Sequence, residues 1–139
     1  MLKTLALCIY RPMALLERIP TLYFQAGLLG AVFGVLFLSV TAFDQFPISY
    51  LNYSDKFNHM AAFFTLSMLT KGALPKAKIT TRWGLLCGYG ILIELIQSVL
   101  PRRSATSLDF VADVLGILLF ELLLKLYKIT KEYTQKHNL

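Results

Sequence analysis

Residues 19–43, which read IPTLYFQAGLLGAVFGVLFLSVTAF, decide the class of fold. The run carries no charged side chain over about 25 residues, enough for one helix to cross a hydrocarbon core of roughly 30 Å with some tilt. It predicts a transmembrane helix over 21–43. Gly27, Gly30 and Gly34 lie on adjoining parts of one face of that helix, so we expect another helix to approach closely there.

The composition indicates an integral membrane protein. Of the 139 residues, 56% are hydrophobic and 16% are charged, and the mean hydropathy is +0.59. Soluble domains average about 25% charged residues. The net charge of +6 does not indicate nucleic-acid binding, because the basic residues cluster at the ends of apolar runs instead of forming one stripe. No nucleic-acid partner is predicted.

Three further apolar runs predict spans over 57–74, 83–100 and 108–125. Each contains polar or charged residues, which a transmembrane helix tolerates when it lies in a bundle whose polar faces meet. We therefore predict an all-α fold, an integral membrane four-helix transmembrane bundle, in which residues 1–139 form a single domain. The sequence does not specify an oligomeric state.

The stretch 1–20 is not read as a secretory signal. Arg11 and Pro12 interrupt its apolar part after about seven residues, and Arg18 stands near the place where a small-residue cleavage site would be needed. We expect an amphipathic segment that lies at the membrane interface, with Lys3, Arg11 and Arg18 among the headgroups.

The distribution of Lys and Arg predicts the orientation in the membrane. One side holds Lys3, Arg11 and Arg18 before the first span; Lys71, Lys76, Lys78 and Arg82 between the second and third; and Lys125, Lys128, Lys131 and Lys136 after the fourth. The other side holds only Lys56, Arg102 and Arg103. Because positive charge favours the cytoplasmic side, both termini are predicted to be cytoplasmic.

Ionisable residues recur at the predicted outer ends of the spans. Asp55 and His59 open the second span, and Asp109 and Asp113 open the fourth with the same i, i+4 spacing, which places each pair on one helix face. Charge in lipid is costly and is tolerated mainly where polar groups face one another. These residues predict one polar pocket in the outer leaflet.

Glu94 is the residue that a structural role explains least well. It lies about 11 residues beyond Trp83, or roughly 16 Å along a helix, with Gln97 one turn further out. A structural ion pair with Arg103 or Lys56 is the alternative to a functional role.

Two other acidic residues have simpler structural explanations. Asp55 is predicted to cap the N-terminus of the second transmembrane helix, a role that does not exclude a function in the pocket. Glu121 is predicted to pair with Lys125 at i, i+4.

The polar residues form a recognisable series: Asp55-Lys56-x-x-His59, Glu94-x-x-Gln97, and Arg103-Ser104 followed by Asp109, Asp113 and Gly116. This series resembles the signature of the VanZ-like family of membrane proteins, over about 55–123. The resemblance implies a multi-pass protein of the bacterial cytoplasmic membrane, and the founding member is associated with teicoplanin resistance. The family name supplies no mechanism.

Two positions depart from the family pattern. Arg102 stands where the family often has Gly, which adds a positive charge at the mouth of the pocket. Asp113 stands where the family often has Asn, which makes a carboxylate pair with Asp109 possible.

Three mechanisms fit these residues. In an enzyme, His59 would serve as general base or acid, Glu94 or Asp109 would orient it or hold a second proton, and Lys56 with Arg103 would bind a phosphate or carboxylate of a lipid-linked substrate. In a binding protein, the same basic rim would hold a lipid headgroup and no bond would change. In a transporter, Glu94 would relay protons or ions, although no polar partner in the inner half completes a pathway.

The residues divide by expected role as follows: catalytic, His59, Glu94 and Asp109; substrate-binding, Asp55, Lys56, Gln97, Arg103, Ser104 and Asp113. The acidic residues and His59 would suit Mg, Mn or Zn, but no tight ligand motif occurs and the basic neighbours favour an anion, so no metal and no cofactor are predicted. The expected partner is an anionic envelope lipid or lipid-linked cell-wall precursor, recognised and possibly modified at the outer face.

Overall fold

The computed structural model describes residues 2–40, 51–100 and 107–136, with side chains for 8–40, 56–100 and 107–136. Within these ranges the chain is helical and contains no strand, which confirms the predicted all-α fold. The helices are α1 (Leu2–Leu16), α2 (Thr21–Val40), α3 (Leu51–Ala73), α4 (Ile79–Val99) and α5 (Ser107–Lys136). Helices α2 to α5 correspond to the four predicted spans, but α3 and α4 begin earlier than 57 and 83, and α5 continues well beyond 125.

Proline explains where two helices end. Helix α3 ends at Ala73, two residues before Pro75, which cannot continue a helix. Helix α4 ends at Val99, and Leu100 is extended with φ −85° and ψ 126°. A residue that precedes proline, as Leu100 precedes Pro101, is disfavoured in the helical region.

Neighbouring helices alternate in direction. Helices α3 and α5 run parallel, because Phe64 packs on Phe120 and the residues near the beginning of each helix also meet. Helix α4 runs the opposite way, since Arg82 in its first turn meets Glu121, whereas Glu94 further along meets Asp113 near the beginning of α5. Helix α2 runs parallel to α4. The Tyr89 hydroxyl donates to the Val32 carbonyl at 2.5 Å, and further along both helices Gln97 donates to the Ser39 carbonyl.

The core lies between α3, α4 and α5. Its fully buried side chains include Phe63 and Leu66 from α3, Ile93 from α4 and Ile117 from α5. Side chains of α2 pack against this cluster from one side. The central position of α3 and α5 fixes where their polar residues lie relative to α4.

Only one of the three glycines of α2 lies at a close approach to another helix, as predicted. A Cβ on Gly27 would lie 3.2 Å from Leu69 of α3, whereas Gly30 and Gly34 have no described neighbour within 4 Å of that position. The closest approach of α2 and α3 is made from the other side, where the ring of Phe24 occupies the space that a side chain at Gly72 would need. The prediction is therefore confirmed for Gly27 alone.

Helix α1 packs against the second half of α5. Its residues Ile9, Tyr10 and Met13 pack on the buried cluster formed by Phe120, Leu124 and Tyr127. The rings of Tyr10 and Tyr127 are stacked with centroids 6.0 Å apart, and Lys131 donates to Glu17 at 2.7 Å. Among the described side chains of α1, Ile9, Tyr10 and Met13 are thus covered by α5 and its neighbours, whereas Leu15 is exposed.

Two of the described helices, α2 and α4, are long and apolar enough to cross a membrane. Only 11% of the apolar window in α2 and 22% of that in α4 is buried inside the protein. Large apolar side chains such as Phe33, Phe37 and Leu95 instead point outward. A soluble protein would bury such helices, so this outer surface is the feature expected of a membrane protein.

Candidate functional site

Three helices bring an imidazole and two carboxylates together. His59 of α3, Glu94 of α4 and Asp113 of α5 each offer a ligand atom, and these atoms lie within 4.8 Å of one another. His59 Nδ1 is 2.9 Å from Asp113 Oδ1, and the Asp113 side chain is only 1% exposed. We call these three residues the His59 cluster.

Two glycines make this convergence possible. A Cβ on Gly116 would overlap the carbonyl oxygen of Met60 and lie 2.9 Å from the Phe64 nitrogen, so only glycine lets α5 approach the α3 backbone this closely. On α4, a Cβ on Gly90 would lie 2.9 Å from Asp113 Oδ2. Gly116 therefore lets α5 close onto α3, and Gly90 leaves room on α4 for the Asp113 carboxylate.

A second charged pair lies one turn nearer the beginnings of α3 and α5. Lys56 Nζ is 3.8 Å from Asp109 Oδ1. The Asp109 side chain is 4% exposed, whereas that of Lys56 is 42% exposed. Lys56 thus places a partly exposed positive charge one turn from the buried cluster.

The hydrogen bond to Asp113 determines what the imidazole can do. With the proton on Nδ1, His59 donates to Asp113 and keeps a lone pair on Nε2. A histidine oriented in this way by a carboxylate is the arrangement used for general base chemistry. The same three side chains supply one nitrogen and two oxygen donors and can also hold a metal ion.

The predicted catalytic residues are only partly brought together. His59 and Glu94 belong to the cluster, while Asp109 lies beside Lys56. Asp113, which the sequence places among the substrate-binding residues, contacts the imidazole directly. Asp109 and Asp113 lie on one helix face because of their i, i+4 spacing, so the sequence does not show which of them contacts His59.

The remaining predicted site residues lie outside the His59 cluster or outside the described part of the chain. Gln97 is buried and donates from Nε2 to the Ser39 carbonyl at 3.4 Å, so it connects α4 to α2. Asp55 is the fifth residue of α3, which begins at Leu51, so the prediction that it caps this helix is wrong. The Asp55 side chain, Arg103 and Ser104 lie outside the described residues.

A buried ion pair at the other end of the bundle is missed by sequence reasoning. Arg82, in the first turn of α4, is 5% exposed, and its Nη2 lies 2.8 Å from Glu121 Oε1 of α5. The prediction that Glu121 pairs with Lys125 is wrong, because its ion pair is with Arg82. In the sequence Arg82 falls between the second and third predicted spans, so no local pattern links it to α5.

Comparisons with models of known protein families, with curated proteins of assigned function and with solved structures find no match.

Proposed function

We propose that this chain is a VanZ-like, multi-pass protein of the bacterial cytoplasmic membrane that binds the phosphate-bearing headgroup of an envelope lipid or lipid-linked cell-wall precursor. Both termini would be cytoplasmic, and the His59 cluster and Lys56 would face the outer leaflet. The observation that carries the proposal is a buried polar cluster with a half-exposed lysine one turn away, inside a protein that exposes many large apolar side chains.

The membrane setting is supported by the arrangement of the helices. Helices α2 and α4 are parallel, and α3 and α5 run the other way, which is the pattern that four successive crossings produce. The large apolar side chains of α2 and α4 point away from the core. Lipid would cover these surfaces without a further protein partner.

The depth of the polar residues supports a headgroup ligand. Lys56 and Asp109 lie near the beginnings of α3 and α5, where a headgroup can reach them. Along α4, Arg82 and Glu94 are separated by about 18 Å at the helical rise, so the two polar clusters lie at different depths. A ligand at Lys56 would thus enter from one face only, which disfavours a continuous transport pathway.

A second candidate function is chemical modification of the same lipid. The observation that favours it is the hydrogen bond of 2.9 Å between His59 and Asp113, which orients the imidazole as a base. Glu94 would hold the second proton. Lys56 would bind the phosphate in both functions.

Native mass spectrometry of the purified chain tests the binding function. We expect a co-purifying phosphate-bearing lipid whose occupancy falls severalfold in Lys56→Gln. The matched control is Lys76→Gln, an exposed lysine in the loop between α3 and α4, which should retain the lipid. Absence of any bound lipid from the wild-type protein, or equal loss in both variants, would refute the proposal.

Glu94→Gln separates binding from modification. It keeps the shape of the side chain and removes the charge and the ability to transfer a proton. If the protein modifies its lipid, this variant should retain the lipid and lose the envelope phenotype, measured as glycopeptide susceptibility in a suitable host. A full phenotype with intact lipid binding would leave recognition as the function.

A further inference from the structure

We infer that His59, Glu94 and Asp113 bind one divalent metal ion of the Mn²⁺ to Zn²⁺ range. The ion would lie between helices α3, α4 and α5, one turn of α3 from Lys56. This ion is a ligand of the protein itself and does not depend on a lipid. A contact between the ion and a headgroup phosphate rests on the proposed function.

The geometry of the three side chains suits such an ion. Metal ions in this range lie about 2.0–2.2 Å from nitrogen and oxygen ligands, which places the ligand atoms roughly 3–3.5 Å from one another. His59 Nδ1 and Asp113 Oδ1 are already 2.9 Å apart, and the whole set falls within 4.8 Å. A rotation of the Glu94 side chain would complete a three-ligand site.

Asp113 gives independent support. Its Oδ2 atom is buried and accepts no hydrogen bond from the described residues, although the side chain is 1% exposed. A buried carboxylate oxygen without a donor loses its hydration and gains nothing in return. A metal ion would supply the missing positive partner.

The charges at the site also suit a cation. Glu94 and Asp113 place two carboxylate oxygens within 4.8 Å of each other and of the imidazole. A divalent ion between the two carboxylates would interact favourably with both.

The donor set selects the class of metal. The imidazole nitrogen favours Fe²⁺ or Zn²⁺ over Mg²⁺ and Ca²⁺, which prefer oxygen ligands, and the two carboxylates also suit Mn²⁺. Three protein ligands leave at least one coordination position open. In the proposed function Lys56 holds the headgroup phosphate, and one of its oxygens would take that open position as an additional ligand.

The test uses the full chain in detergent, stripped with a chelator and titrated with Mn²⁺ while free Mn²⁺ is followed by electron paramagnetic resonance. We expect saturable binding of about one ion per chain. Glu94→Gln and Asp113→Asn should weaken binding at least tenfold, as expected when a ligand is lost. Glu132→Gln, which removes an exposed carboxylate from the far end of α5, is the control and should bind like the wild type.

A spectroscopic measurement on the wild-type protein keeps the inference testable if these variants do not fold. Mn²⁺ bound by His59 should show a nitrogen coupling in the pulsed spectrum, which a site made of carboxylates alone would lack. Non-saturable binding, or bound Mn²⁺ without nitrogen coupling, would overturn the inference.

Lipid retention in the same preparations separates the two proposals. Metal binding with no co-purifying lipid would refute the proposed function and leave the metal site standing. A lipid retained by protein that binds no Mn²⁺ or Zn²⁺ would refute the metal site alone.

Discussion

His59 and Asp113 are 54 residues apart in the chain, yet Nδ1 of one lies 2.9 Å from Oδ1 of the other. They meet because α3 and α5 run parallel and begin at the same end of the bundle. Gly116 sets the distance between these helices, since its missing side chain leaves room for the Met60 carbonyl. The position of this glycine therefore controls the geometry of the site.

Gly116→Ala should destabilise the protein by about 1–3 kcal/mol, because the added methyl group collides with the backbone of α3 and cannot be relieved by a side-chain rotation. The measurement is thermal or SDS-induced unfolding in detergent. The matched control is Gly84→Ala on α4, where a Cβ meets no described atom within 4 Å. Alanine there should be neutral or stabilise the helix by up to about 1 kcal/mol. Equal stability of both variants would contradict the close approach of α3 and α5.

Arg82→Met should cost about 3–5 kcal/mol, because it leaves Glu121 without its buried partner. Glu121→Gln should also be costly, since Arg82 is almost fully buried. The double variant Arg82→Met/Glu121→Leu should lose much less than the sum of the single losses, because no isolated charge remains. A double-mutant cycle of unfolding free energies measures this coupling. Additive losses would mean that the pair contributes nothing as a pair.

The ion pair between Glu17 and Lys131 predicts a pH dependence for the packing of α1 on α5. The hydrogen bond from Lys131 lowers the pKa of Glu17, and the hydrogen bond to Glu17 raises the pKa of Lys131. The contribution of Glu17 is present above the usual carboxyl pKa of 4.5 and is lost as the pH falls through its lowered value. The contribution of Lys131 is present below the usual pKa of 10.5 and is lost as the pH rises through its raised value.

Hydrogen exchange of the α1 amides, corrected for intrinsic rates, measures this effect. Protection should fall at acidic pH by an amount that corresponds to at most about 1 kcal/mol, since Glu17 is half exposed and solvent screens the pair. Glu17→Gln should remove the acid-dependent part. Unchanged acid dependence in that variant would assign it to another group.

Single cysteines test the orientation in the membrane. In a background without Cys8 and Cys87, an impermeant thiol reagent should label position 103 in intact cells and should not label position 76. Labelling at both positions after the cells are opened is the control for accessibility. Labelling of position 76 alone in intact cells would reverse the orientation and move the proposed headgroup site to the cytoplasmic side.

The sequence by itself determined the helices and the presence of a polar site. The uncharged run around α2 and the prolines at positions 75 and 101 act on the local backbone, so the element types and two of the ends could be predicted from local chemistry. His59 and Glu94 stood out as polar groups in apolar runs. Their convergence followed from the expected alternation of the helices.

Only the tertiary structure decided which residues contact one another. Asp109 and Asp113 are equivalent in the sequence, one turn apart on the same face, yet Asp109 pairs with Lys56 and Asp113 with His59. The partner of Glu121 proved to be Arg82, on another helix. These choices depend on the rotation and register of packed helices, which are set by the contact at Gly116 and by the core side chains between α3, α4 and α5. Such contacts join residues far apart in the chain, so no local pattern in the sequence records them.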